Sequence, residues 1–280
     1  MTTEPDDRAL FDPAGAAQPT SPERGEASLF DESYDQPTVT GAVRAYVISA
    51  TQRSGSTVLC HLLTATGAMG VPTEYFGAGA ETSAIGRRLD AVGTDGRLRL
   101  GRYLAALIRR RSTPNGVFGV KMHFHQLETR SNRRPLQKLL VDARYVWLRR
   151  RDPIAQAISF ALAQRTGRFQ ESRDVARPSN DPPFELREVL NAWRGLALQD
   201  AGWQVYFQAN GIAPLEVWYE DMLADPDWTC RRIGQFLGVT IERPVSLDAV
   251  PIRRQRSTVS EIWRAALMDH LRIAGSEGTP

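Results

Sequence analysis

Residues 45–63, Ala-Tyr-Val-Ile-Ser-Ala-Thr-Gln-Arg-Ser-Gly-Ser-Thr-Val-Leu-Cys-His-Leu-Leu, constrain the fold of this chain more than any other stretch. Tyr46 to Ala50 is an apolar run of the length of one buried strand. Thr51 to Thr57 is a polar turn, with a single Gly and the hydroxyl residues Ser54, Ser56 and Thr57 after Arg53. Leu59, Leu62 and Leu63 then recur at helical spacing. The pattern predicts strand, tight loop, helix. Such a loop aims successive backbone N–H groups and the positive end of a helix dipole at one spot. Gly55 lets the backbone approach a ligand with no Cβ in the way, Arg53 adds a cation, and the hydroxyls add donors. The chemistry suits a tetrahedral oxyanion. The loop lacks the Gly-Lys-Ser/Thr ending of a nucleotide-binding P-loop, which disfavours an ordinary ATPase. A plain Ser/Gly turn between strand and helix remains the bland alternative.

The rest of the chain agrees with an anionic ligand. Residues 1–42 carry nine acidic and two basic side chains, so the overall charge of +3 leaves +10 on the remainder. Zinc-finger spacing, an aromatic RNA-binding signature and a basic helix with heptads are all missing, which disfavours nucleic acid. Cys60 and Cys230, the only cysteines, lie far apart and fit two reduced buried thiols of a cytoplasmic protein. The acidic N-terminus does not read as a signal peptide, and no apolar run reaches the ~18 residues of a membrane span.

In order, residues 1–42 are expected to be a disordered acidic tail, residues 43–273 one domain and residues 274–280 a flexible C-terminus. Residues 77–101 read as a loop with a short helix, and Tyr103 to Arg111 as a helix whose basic end, Arg109 to Arg111, serves the helix terminus and solvent. Val117 to Met122 and Ala143 to Leu148 read as strands. Asp152 and Pro153 then start a helix to about Gln164, as N-cap and first-turn proline. Residues 165–184 are polar and proline-bearing, of the kind that covers sites. A long helix from Glu185 to Asn210, a strand from Pro214 to Tyr219 and a helix from Trp228 to Leu237, capped by Asp225 and ended by Gly238, follow. The last helix lies around Ile262 to Leu271. Strands alternating with helices predict an α/β protein, with a largely parallel sheet, helices on both faces and its ligand site beyond the strands' carboxyl ends.

Four pieces now stand together: Gln52-Arg-Ser-Gly-Ser-Thr57; Arg150-Arg-Asp152 with Gln156-Ala-Ile-Ser159; Tyr219-Glu-Asp-Met222 with Asp225-Pro226; and Phe236-Leu-Gly238. Over roughly residues 44–272 this order resembles sulfotransferases that use 3′-phosphoadenosine 5′-phosphosulfate (PAPS), and within them the bacterial trehalose sulfotransferase family. The resemblance implies a P-loop-like sulfotransferase fold and PAPS as co-substrate, without a metal. It implies a 5′-phosphosulfate loop of Gln52, Arg53, Ser54, Gly55, Ser56 and Thr57, with Arg53 on the phosphosulfate and its bridging oxygen. It implies a 3′-phosphate site at Arg150 and Ser159, with Arg151 as the alternative one position on. Arg254 and Gln255, with Trp263 eight residues beyond the Gln, match a loop that closes over the nucleotide. Tyr219 fits either the neighbourhood of the adenine or burial in the sheet.

The chemistry this implies is in-line transfer of a sulfuryl group to a hydroxyl, driven by positioning and charge, with a base for the hydroxyl proton. Two residues compete for that proton. Glu74, in Pro72-Thr-Glu-Tyr-Phe76, matches the glutamate proposed as base in the trehalose sulfotransferase family and is favoured. His123, in Lys121-Met-His123, resembles the Lys-x-His of cytosolic sulfotransferases and departs from the trehalose pattern; imidazole titrates in the range a base needs. Lys121 is read either as an aid to the leaving phosphate or as a strand-end lysine reaching solvent. The acceptor is expected to be a sugar, glycolipid or nucleoside, with no nucleic-acid partner, no stable membrane insertion and homodimers as in the family. A nucleotide kinase or ATPase, and a nucleotide-binding protein without turnover, are the rival readings.

Overall fold

The structure is a computed structural model. It describes residues 28–38, 40–41, 43–77, 80–130, 133–167, 169, 182–251 and 258–272. Four apolar runs form strands β1 (Arg44–Ala50), β2 (Val117–His123), β3 (Arg144–Arg149) and β4 (Leu215–Trp218). They pair in the order β2-β1-β3-β4, and every pairing is parallel. Parallel pairing demands crossovers, supplied by helices α1 (Ser56–Ala65), α2 (Ala80–Arg88) and α3 (Leu100–Arg111) between β1 and β2. Helices α4 (Phe124–Arg130) and α5 (Arg134–Asp142) link β2 to β3, and α6 (Pro153–Thr166) and α7 (Leu186–Ala209) link β3 to β4. Helices α8 (Tyr219–Ala224), α9 (Pro226–Leu237) and α10 (Thr258–Leu271) complete the described chain.

Side chains alternate across the sheet and feed two cores. Val47, Phe118, Val120, Tyr145 and Trp147 pack on one face against α3, α5 and the end of α7. Tyr46, Ile48, Val146, Leu148 and Val217 pack on the other against α1 and α9. A third cluster joins α6, α7 and α10 around Trp263. Predicted caps form as expected: Asp152 accepts from the Ala155 N–H and Asp225 from the Trp228 N–H.

Three expectations need correction. The fourth strand stops at Trp218, and Tyr219 opens α8 rather than extending the sheet. The basic end of α3 is not all solvated: Arg111 is 0 % exposed. Its guanidinium donates to the carbonyls of Leu29, Phe30 and Asp31 at 2.9–3.0 Å and pairs with Asp35 at 3.1 Å. For the same reason, residues 28–38, assigned by composition to a disordered tail, carry defined contacts: Leu29 is buried and Phe30 meets Tyr75 edge-on at 5.9 Å. Residues 1–27, the expected C-terminal tail 274–280 and most of the expected covering segment 165–184 lie outside the described residues.

Removing a buried cation while its partners stay buried is costly. Arg111→Ala is therefore expected to destabilise the fold by about 3–5 kcal/mol, read as a fall in the denaturant midpoint. A change under about 1 kcal/mol would contradict this role for Arg111.

Candidate active site

The register brings the predicted residues to one edge. Ala50 at the end of β1 lies beside both His123 and Leu148, and Arg149 lies beside Trp218. The loop after β1 then turns into α1. Arg53 and Gly55 have φ of 61° and 85°, and the intervening Ser54 does not. Alternation of this kind turns successive N–H groups toward one concavity. Ser56 and Thr57 open α1, whose first N–H groups have no acceptor within the helix. Ser54 is committed to the loop itself, donating to the Thr51 carbonyl at 2.8 Å.

Three glutamines hold this loop or its neighbours, and none stood out as a site residue in the sequence. Gln156 on α6 donates to Thr51 Oγ1 and to the Gln52 carbonyl, both at 2.7 Å. Gln199 on α7 donates to Gln52 Oε1 at 2.8 Å. Gln126 on α4 donates to Glu74 at 2.6 Å. Of the three, only Gln156 lay inside a motif that the sequence singled out; an amide in a helix carries no periodic signal.

The loop and the predicted 3′-phosphate residues touch. Arg53 Nε donates to Ser159 Oγ at 2.9 Å, and Arg53 Nη1 donates to the Phe169 carbonyl. Arg150 Nη1 donates to the Arg53 carbonyl at 3.2 Å and lies 4.9 Å from the centre of the Tyr219 ring. Arg151 points elsewhere, in a two-pronged ion pair with Asp221, and Arg149 pairs with Asp200 at 2.7 Å. Arg254 and Gln255 lie outside the described residues. Trp263, on the helix after them, is buried and donates to the Pro182 carbonyl at 3.2 Å.

Glu74, Lys121 and His123 form one cluster. Residues 71–76 run along the outer edge of β2, where the Lys121 N–H donates to the Thr73 carbonyl at 3.0 Å. Glu74 Oε2 is thereby set 2.7 Å from Lys121 Nζ and 3.4 Å from His123 Nε2. Lys121 is buried, so the solvent-seeking alternative for it is wrong. Burial alone raises a carboxyl pKa, but Lys121 and then His123 outweigh it and hold Glu74 well below the usual carboxylate range. Burial likewise lowers Lys121, and the Glu74 carboxylate more than restores it, for a net rise. His123 Nδ1 lies 3.2 Å from the Ala50 carbonyl, which only accepts, so Nδ1 carries a proton. His125 sits nearby, 3.4 Å from Gln52 Nε2. Among the described residues there is no cluster of His, Cys, Asp and Glu able to hold a metal ion.

The depressed Glu74 carboxyl has a stability consequence. Its folded pKa lies below the ordinary 4.5, so its contribution is full above about pH 4.5 and is lost as pH falls through the folded value. Lys121→Met removes the chief cause. The variant's loss of stability is expected to be greatest near neutral pH and to shrink in acid, as read from denaturant midpoints across pH. A loss that is constant with pH would contradict the coupling.

The Stf0 sulphotransferase family model matches residues 45–267. The chain is similar to "Trehalose 2-sulfotransferase" of Mycobacterium tuberculosis, with 30% identity over 79% of this chain and 93% of that protein. It is similar to the protein of the same name from Mycolicibacterium smegmatis, with 28% identity over 78% of this chain and 92% of that one. Among solved structures it aligns with the sulfotransferase domain of the Synechococcus PCC 7002 olefin synthase, with TM-score 0.43 and 13% identity over 81% of this chain and 89% of that one. The matched span runs from β1 to α10 and includes the loop, the arginine-bearing end of β3 and the Glu74 cluster: the chain belongs to the Stf0 sulphotransferase family and is a sulfotransferase.

Proposed function

We propose that the enzyme transfers the sulfuryl group of PAPS to a hydroxyl of a carbohydrate; the two similar proteins are named as sulfotransferases of trehalose. The observation that carries this reading is the junction of Arg53, Ser159, Arg150 and Tyr219 beside the N-terminus of α1. In that arrangement the loop from Gln52 to Thr57 takes the 5′-phosphosulfate, and Arg150 with Ser159 takes the 3′-phosphate. A guanidinium and a helix N-terminus are apt partners for phosphate. Arg150 is preferred to Arg151 because Asp221 draws Arg151 away from the loop. Arg254 and Gln255, on the segment before α10, complete the nucleotide site in this reading. A cytoplasmic setting belongs to the same reading, since Cys60 and Cys230 are free and buried.

In the reaction the acceptor O–H bond breaks, an O–S bond forms and the S–O bond to the phosphate breaks, releasing 3′,5′-adenosine bisphosphate (PAP). Glu74 takes the proton. Lys121 and Gln126 present only donors to it, and His123 Nε2 lies 3.4 Å from its second oxygen. Lys121 supplies positive charge beside the reacting centre.

The test is thermal unfolding with PAP, AMP and Mg-ATP. A ligand at ~100 times its dissociation constant stabilises by about 2.7 kcal/mol, or roughly 5–10 °C in a domain of this size. PAP is expected to give this rise and AMP and Mg-ATP far less. Arg150→Ala is expected to abolish it and Arg151→Ala to leave most of it. A rise with Mg-ATP alone overturns the PAPS reading in favour of a kinase. With a trehalose acceptor, Glu74→Gln is expected to lose at least about a hundredfold in kcat while keeping the PAP response; near-normal turnover overturns the role of Glu74.

A further inference from the structure

We propose that Gln126 is a positioning residue for the transfer, which fixes both the rotation of the Glu74 carboxyl and its state as a proton acceptor. The inference rests on the reading of Glu74 as base. It stands on geometry that no sequence motif carries. Helix α4 starts immediately after β2, so its first turn folds back over the strand end. There the backbone N–H of His123 is buried, and Gln126 Oε1 accepts it at 3.0 Å. A backbone N–H can only donate, so this contact settles which end of the amide is oxygen. The other end, the NH2 group, must then face Glu74 Oε1, at 2.6 Å.

The second carboxyl oxygen is held as firmly. Lys121 Nζ, a donor only, lies 2.7 Å from Glu74 Oε2. One donor on each oxygen favours the ionised carboxylate and leaves each oxygen a second lone pair for the incoming proton. Both oxygens are therefore kept as acceptors. Two anchors on two different oxygens also fix the rotation of the carboxyl plane, which one ion pair alone would leave free. Gln126 is 3 % exposed, so water does not readily replace it. The charged and titratable groups around this carboxyl are Lys121 and His123 from β2, with Cys60 and His61 of α1 and Glu81 of α2 in the wider field of Lys121. Burial and Lys121 push the His61 pKa down to about 4, so His61 adds no positive charge there at neutral pH.

The experiment uses the full chain with PAPS and trehalose and compares Gln126→Leu, Gln126→Glu and Glu74→Gln. Gln126→Leu removes the donor. It is expected to lower kcat by about ten- to a hundredfold, the scale of a small misplacement of a reacting group, with KM for PAPS and the PAP-induced midpoint rise unchanged. Gln126→Glu keeps the shape and still accepts the His123 N–H, but sets a second carboxyl against Glu74. Two carboxyls at that distance share a proton. The acidic limb of the kcat profile is then expected to move up by about one pH unit or more. A purely structural role would not move that limb.

Wild-type kcat and an unmoved pH profile in both Gln126 variants, with Glu74→Gln inactive, overturn the inference and leave the role of Glu74 intact. An active Glu74→Gln overturns that role itself. Loss of the PAP response in parallel with kcat also overturns the inference, because the damage then lies in the nucleotide loop. If Gln126→Leu does not fold, the pH profile of Gln126→Glu alone decides.

Discussion

The carboxyl edge of the sheet depends on how closely the loop after β1 approaches the exit of β4. A Cβ on Gly55 would lie 2.3 Å from Cδ2 and 2.6 Å from Cε2 of Tyr219, so the aromatic ring rests directly on the glycine. With φ of 85° as well, this position has two independent reasons to be glycine. The contact makes Tyr219 the meeting point of the loop after β1 and Arg150, whose guanidinium covers the ring. β3 ends at Arg149, and the three arginines from there on separate by their partners. Arg149 and Arg151 both lie about Trp218, at 5.1 and 5.0 Å from its ring centre, and each also holds a carboxylate. Arg150 falls on the side of Tyr219 and the loop. Arg149 also covers Trp147, at 4.2 Å from its ring centre, so two tryptophans hold Arg149 and Arg151 while Tyr219 holds Arg150.

The Glu74 cluster shows a different balance. An ion pair largely removed from water gains less than it costs unless its remaining hydrogen-bonding capacity is met. Here Lys121, His123 and Gln126 all address one carboxyl group. The Ala50 carbonyl behind His123 is itself shared, since Trp203 Nε1 donates to it at 3.1 Å. The imidazole is thus held by the end of β1, and the carboxylate by the end of β2 and the start of α4. Stability alone would be served as well by apolar side chains, so a dense set of charges at this edge agrees with the proposed chemistry.

What the sequence made legible was whatever is periodic or local. The strands showed as apolar runs, and the α6 and α9 starts as Asp-Pro pairs. The loop from Gln52 to Thr57 showed as a break in pattern between two regular elements. What it hid was set by partners distant in the chain. Arg111 ends a basic run of the sort that normally faces solvent, and only the arrival of residues 28–35 buries it. Lys121 reads as a strand-end lysine until Glu74 is placed beside it. Helix α4 was missed because it is short and follows β2 with no linker, and Gln126 with it. Tyr219 looked like the last residue of a strand, although its helical start is what turns its ring toward Gly55.

The same long-range contacts bear on the Glu74 carboxyl. Glu74 lies in residues 71–76, which belong to no helix or strand and so lack the ladder of bonds that fixes its partners on β2. Two points of Arg111 make up for this. Its backbone carbonyl accepts from the Val71 N–H at 2.9 Å, and its guanidinium binds the chain at Leu29, Phe30 and Asp31. Phe30 then packs on Tyr75, the residue after Glu74, while Tyr103 on α3 donates to the Tyr75 carbonyl at 3.0 Å. The segment that carries Glu74 is therefore clamped from α3 and from residues 28–31 at once. A buried arginine far from the loop after β1 is in this way part of what keeps a carboxylate within 2.7 Å of its lysine. The placement of the Glu74 carboxyl comes here from tertiary anchors, since local structure does not supply it.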